Sequence, residues 1–124
     1  MSYLIDTQIL IWAESDPGRL PAEIRTILEE KSVAVSAATF WEMAIKVSLG
    51  KLRLPRSVKV IADATPFDLL PVRADHAAAV EDLPHHHKDP FDRMLIAQAL
   101  FERLTLLTAD KKLREYGEFV QVVE

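Results

Sequence analysis

Apolar positions along the chain switch repeatedly between short continuous runs and helical spacing, and the switches mark out alternating strands and helices. Residues 3–6, Tyr-Leu-Ile-Asp, form a brief apolar run closed by an acid, the pattern of a buried strand opening into a loop or helix. The apolar residues 9–13 continue as a first helix, and Asp16-Pro17-Gly18 is a turn. Over residues 21–31, Ile24, Ile27 and Leu28 share one helical face with charges opposite. Val33 and Val35, bounded by Ser32 and Ser36, predict a second strand. Residues 37–49 read as a helix, with Phe40, Ala44 and Val47 on one face and Gly50 just past its end. A helix over 56–64 and a third strand over 67–72 follow, and Pro71 implies a sheet edge for that strand. Residues 74–83 form a short helix and 85–88 a loop.

Asp89-Pro90-Phe91-Asp92 is a strong helix start, with an aspartate N-cap, proline at N1 and an acid at N3. That helix runs through Phe101. A fourth strand over 104–108 leads past Ala109 and Asp110 into a short helix ending at Tyr116. Gly117 then precedes a last strand over 119–123. Strands alternating with helices predict an α/β fold with a mainly parallel sheet. Ligands of such sheets bind beyond the carboxyl ends of the strands. Asp6 closes strand one, Asp110 follows strand four, Glu42 lies in the helix after strand two, and Asp92 opens the helix leading into strand four.

Length and composition narrow the function classes. A chain of 124 residues is expected to fold as one domain over 1–124, with a real core. No cysteine is present, which excludes disulfides, zinc–thiolate sites and thiol nucleophiles. The N-terminal Met-Ser-Tyr-Leu-Ile-Asp has no basic segment, and no apolar run nears the roughly 18 residues of a membrane span. The protein is therefore expected to work in the cytoplasm. A net charge of −4 argues against a nucleic-acid partner, because phosphate contacts drive most such affinity. Its distribution softens the objection: Lys46, Lys51, Arg53, Arg56 and Lys59 occupy a stretch without an acid. Cation binding by four carboxylates would also cancel the formal charge.

Hydrolysis of a phosphodiester without a nucleophilic side chain needs a hard cation, which lowers the pKa of water and screens charge on the phosphoryl oxygens. Mg²⁺ and Mn²⁺ take oxygen ligands, so the requirement is a set of convergent carboxylates from different elements. Each acid also has a structural reading. Asp6 could cap the first helix, Thr39 and Glu42 could form a capping box, and Asp89, Asp92 and Asp110 suit helix starts. Four acids at one end of one sheet make capping alone a poor account. Asp6 weighs most, since a carboxylate ending a central apolar strand is costly unless paired or metal-bound.

These residues carry a resemblance. YLIDTQILIW (3–12), SAATFWEMAIK (36–46), DPFDRMLIAQAL (89–100) and LTLLTADKKL (104–113) resemble, in order, the segments of PIN domains, and more narrowly of VapC-type toxins of VapBC toxin–antitoxin pairs. The resemblance implies an α/β/α sandwich with a five-stranded sheet of order 3-2-1-4-5. It implies an Mg²⁺-dependent endoribonuclease, with Mn²⁺ able to substitute, whose metal-binding and catalytic acids are Asp6, Glu42, Asp92 and Asp110. Asp110 would be the weaker or water-mediated ligand. Thr7, Thr39 and Thr108 would orient the carboxylates. It also implies an RNA substrate, a VapB-like antitoxin and a homodimer. Trp12, Trp41, Met43 and Leu49 are candidates for the partner surface.

Two other readings stay open. One is a PIN nuclease that processes RNA without an antitoxin, or an inactive scaffold. The other is a phospho-receiver-like signalling domain, which needs a phosphoacceptor aspartate after its third strand, whereas residues 51–55 read Lys-Leu-Arg-Leu-Pro. Asp89 is read as a helix cap. His85, His86 and His87 are read as a solvent-exposed loop without a partner pattern, with a metal role, or a substrate-phosphate or pH-sensitive contact near the site, as lesser alternatives.

Overall fold

The computed structural model describes residues 1–123. Its elements are β1 (Tyr3–Ile5), α1 (Thr7–Ser15), α2 (Ala22–Glu30), β2 (Val33–Ser36), α3 (Ala37–Ser48) and α4 (Val58–Ala64). They continue with β3 (Asp68–Leu70), α5 (Ala74–Ala79), α6 (Pro90–Glu102), β4 (Thr105–Thr108) and β5 (Val120–Val122). Three 3₁₀ segments, Pro17–Arg19, Val80–Asp82 and Lys111–Tyr116, replace the expected turn, the end of the fifth helix and the final short helix.

The five strands order as β3-β2-β1-β4-β5, and all four neighbouring pairs are parallel. This is the expected sheet. It also removes the receiver-like reading, whose doubly wound order is 2-1-3-4-5. Side chains alternate across the sheet with the strand period of two. Leu4, Ala34 and Leu106 face a core shared with Leu95, Ile96 and Ala99 of α6. Ile5, Val33, Val35 and Leu107 face the opposite core, with Ile9 and Leu10 of α1, Ile24 of α2, Met43 of α3 and Ile61 of α4. Helices thus cover both faces, and β3 lies at an edge with Pro71 just beyond it.

Two local expectations need correction. The inward face of α3 carries Ala38, Thr39, Glu42 and Met43, whereas Ala44 and Val47 are exposed. Apolar spacing alone misassigned the face, because the inward side includes two polar residues directed at the strand ends. Met43 accordingly belongs to the core and not to a partner surface. Second, Ser36 caps α3, accepting from the Ala38 N–H at 3.0 Å. Thr39 and Glu42 lie one turn inside, so no capping box accounts for Glu42.

Helix α6 begins as its sequence predicts. Asp89 Oδ1 accepts from the backbone N–H groups of Phe91 at 2.8 Å and Asp92 at 3.2 Å, with Pro90 at N1. Replacing Asp89 with Ala should lower stability by about 1 kcal/mol. Urea unfolding of the two proteins checks this; equal midpoints would show that the cap is energetically idle.

Candidate functional site

The carboxyl ends of β1, β2 and β4 open onto a cleft of about 400 Å³ lined by Asp6, Glu42, Asp89, Asp92 and Asp110, with Lys46 and Lys111 on its walls. All four acids singled out from the sequence therefore meet in one place. Asp89, read as a cap alone, both caps α6 and lines the cleft.

Asp6 follows β1 directly and is only 4% exposed. Its Oδ1 accepts from the Ile9 N–H at 2.9 Å, which makes it the N-cap of α1. Its Oδ2 accepts from Thr108 Oγ1 at 2.5 Å and the Ala109 N–H at 3.0 Å. Burial pushes the Asp6 carboxyl above its ordinary pKa, and the Glu42 charge adds to the rise, although those three donors oppose it.

Glu42 is held by neighbours on both oxygens. Thr7 Oγ1 donates to Oε1 at 2.6 Å and lies 3.2 Å from Thr39 Oγ1. Lys46, one turn along α3, donates to Oε2 at 2.6 Å. That contact raises the Lys46 pKa and keeps the ammonium charged. Thr108 accepts the Asp110 N–H at 3.0 Å while donating to Asp6, so it ties two acids together. Of the three threonines picked out in the sequence, Thr7 and Thr108 contact acids of the cleft, whereas Thr39 meets Thr7.

Asp92 has its pKa displaced in the same direction as Asp6. Burial, then the nearby charges of Asp89 and Asp6, push its carboxyl up to about 7, while His87 pulls the other way. Carboxylates cannot all remain charged in so small a space without a cation, and oxygen donors of this kind suit a hard divalent ion. The residues present therefore fit a metal.

His87 was missed. Its loop is not free in solvent at this position: Nε2 lies 3.0 Å from Asp92 Oδ2 and 2.9 Å from Asp110 Oδ2. Among the described residues, donor atoms of His87, Asp92 and Asp110 lie within 4.8 Å of one another. No helical or metal-ligand spacing joins these three in sequence. His85 and His86 are exposed as expected, with the His86 ring edge-on to Tyr116.

The basic strip is less available than its sequence suggests. Lys46 pairs with Glu42, Arg56 with Glu14 and Lys59 with Asp63, which leaves Lys46 as its one member lining the cleft among the described residues.

Beside the acids, an apolar trough of about 550 Å³ runs between α3, α5 and α6, walled by Trp41, Val72, Ala77, Phe91 and Met94. Trp41 is 64% exposed and meets Phe91 edge-on at 5.2 Å. Leu49 is also exposed. Trp12 is half-buried under the Arg19 guanidinium, 4.7 Å from its ring centroid. No described helix is long and apolar enough to cross a membrane.

A family model described as the PIN domain matches residues 3–118. No curated protein matches the sequence. The fold is similar to that of a chain in VapBC2 from Rickettsia felis bound to a promoter DNA fragment, with TM-score 0.74, 16% identity and complete coverage of both chains. It is similar to a chain of a toxin–antitoxin complex from Klebsiella pneumoniae, with TM-score 0.68 and 24% identity over 98% of this chain and 97% of that one. A DNA-bound VapBC from Salmonella typhimurium gives TM-score 0.71 and 16% identity over 98% of each chain.

Proposed function

We propose, from the premise that this chain belongs to the PIN-domain family, that it is a metal-dependent endoribonuclease acting as the toxin of a toxin–antitoxin pair. The observation that carries the nuclease reading is the convergence of Asp6, Glu42, Asp92 and Asp110 on one cleft at the strand ends. The toxin reading is supported by the toxin–antitoxin complexes that the fold resembles. A PIN nuclease working on RNA without an antitoxin is the second reading.

Asp6, Glu42, Asp92 and Asp110 would hold Mg²⁺ or Mn²⁺. A divalent cation bound there supplies an activated water and screens charge on the scissile phosphate. The chain's own residues do the rest. Thr108 orients Asp6, Thr7 and Lys46 fix the two oxygens of Glu42, and Lys111 offers positive charge to the RNA backbone along the cleft.

Water attack in line leaves 5′-phosphate and 3′-hydroxyl ends. Activity should therefore require Mg²⁺ or Mn²⁺ and vanish with EDTA, and end-group analysis should find no cyclic phosphate. Products with 2′,3′-cyclic phosphate would refute the mechanism, since those require attack by the ribose hydroxyl.

The exposed Trp41 and Leu49 and the trough beside the acids support a homodimer and an antitoxin surface. A basic antitoxin side chain reaching the carboxylates would block both cation and RNA. Light scattering should give twice the 14.0 kDa of one chain. The product of a neighbouring small gene should co-purify and restore growth; if it does neither, the toxin reading yields to the antitoxin-free nuclease.

A further inference from the structure

We propose that His87 is itself a metal ligand, completing with Asp92 and Asp110 a mixed nitrogen–oxygen site that favours Mn²⁺ or a similar transition ion over Mg²⁺. The inference rests on the metal-nuclease reading and names the class of cation. Its starting point is the spacing of donor atoms. Nε2 of His87 stands 3.0 Å from Asp92 Oδ2 and 2.9 Å from Asp110 Oδ2. Adjacent ligands of an octahedral ion with bonds of about 2.1 Å are about 3.0 Å apart, so both distances match ligand edges. A hydrogen-bond account covers only half of this. An imidazole nitrogen carries at most one proton, which cannot point squarely at two carboxylate oxygens. A cation at the centre of the three donors satisfies both.

The imidazole is presented by a fastened loop. The His87 N–H donates to Tyr116 Oη at 3.2 Å, and its carbonyl accepts from Arg93 Nη1 at 3.4 Å. Arg93, buried in α6, also donates from Nη1 to the Pro84 carbonyl at 2.8 Å and from Nη2 to the Val80 carbonyl at 3.2 Å. The segment before α6 is thereby held on a buried guanidinium, and His87 is carried to the two acids on a fixed base. Ligation requires the ring proton on Nδ1, so the Lys88 N–H contact to Nδ1, 3.0 Å long, is given up when the ion binds.

The chemical consequence is selectivity. Mg²⁺ keeps oxygen ligands and dehydrates reluctantly, whereas imidazole raises affinity for first-row transition ions. A purely carboxylate cleft would have a smaller bias of this kind.

The test uses the full chain stripped of metal, with Mn²⁺ alone as probe and electron spin echo envelope modulation as readout. Wild type should show ¹⁴N modulation at bound Mn²⁺. His87→Ala and His87→Gln should lose it, and His85→Ala should keep it. Mn²⁺ affinity should fall about tenfold in His87→Ala, and Mg²⁺ affinity, measured by calorimetry, by less than about threefold. Mn²⁺ bound without ¹⁴N modulation, or modulation persisting in His87→Ala, would overturn the role of His87 and leave the carboxylate nuclease standing. Failure of wild type to bind Mn²⁺ at all would overturn both.

Discussion

Asp6→Asn should reduce RNA cleavage by on the order of 10³-fold or more, the several kcal/mol that a correctly held cation contributes at about 1.4 kcal/mol per decade. The same variant should remain folded. Asparagine keeps an oxygen for the Ile9 N–H and so keeps the cap of α1. It also removes a charge whose burial is unfavourable, as the raised pKa of Asp6 records. Against this, Asn presents an N–H₂ where Oδ2 now accepts from Ala109, and an orphaned buried N–H costs about 1–3 kcal/mol. The two effects oppose, so the metal-free variant should melt within a few degrees of metal-free wild type. Added Mg²⁺ should raise the melting temperature of wild type and leave Asp6→Asn unmoved. Wild-type cleavage by Asp6→Asn would overturn the site, and a variant that fails to fold would show that Asp6 is chiefly structural.

The second large effect is an unusual pH dependence centred on Asp92. Its folded pKa of about 7 lies above the unfolded carboxylate value of 3.8. Between those values the folded protein keeps a proton that the unfolded chain has lost, so this group contributes stability at low pH that is lost as pH rises to 7. The slope from one such group is about −1.4 kcal/mol per pH unit. Other acids give the ordinary opposite trend, so the measurement is a difference. Metal-free wild type minus Asp92→Asn should decline steeply from pH 4.5 to 7 and level off above. Cation binding must displace the same proton, so Mg²⁺ affinity should climb by up to about tenfold per unit below pH 7. Parallel stability curves for wild type and Asp92→Asn would show that Asp92 titrates normally.

The sequence made the sheet legible because each strand is an apolar run and each switch of period is punctuated by Gly, Pro or a capping acid. It also placed Asp6, Glu42, Asp92 and Asp110 at one end of that sheet, since an acid that ends a strand or opens a helix has a known position along the fold. What stayed hidden depends on contacts between distant segments. His87 precedes Asp92 by five positions and Asp110 by more than twenty, and only the packing of its loop on Arg93 and Tyr116 brings them together. The inward face of α3 was misjudged for a related reason. Thr39 and Glu42 are buried by the site they help to form, and polar residues buried for function look like surface to any hydrophobic count. The pairing of Lys46, Arg56 and Lys59 with acids likewise turned a seemingly free basic strip into a largely neutralised one.

The central position of β1 has a consequence for synthesis. This strand is made well before one of its two neighbours, β4, and Asp6 takes one of its hydrogen bonds from Thr108, 102 positions later. Until Thr108 has emerged from the ribosome, β1 lacks one parallel partner, and Asp92 has no completed sheet to bring it to Asp6. Pairings between residues so far apart close late in folding, because the loop entropy must be met before the contact can form. A growing chain short of β4 therefore carries the acidic cleft in parts, with Asp6 and Asp110 not yet brought together. The cleft is complete only once β4 has joined the sheet.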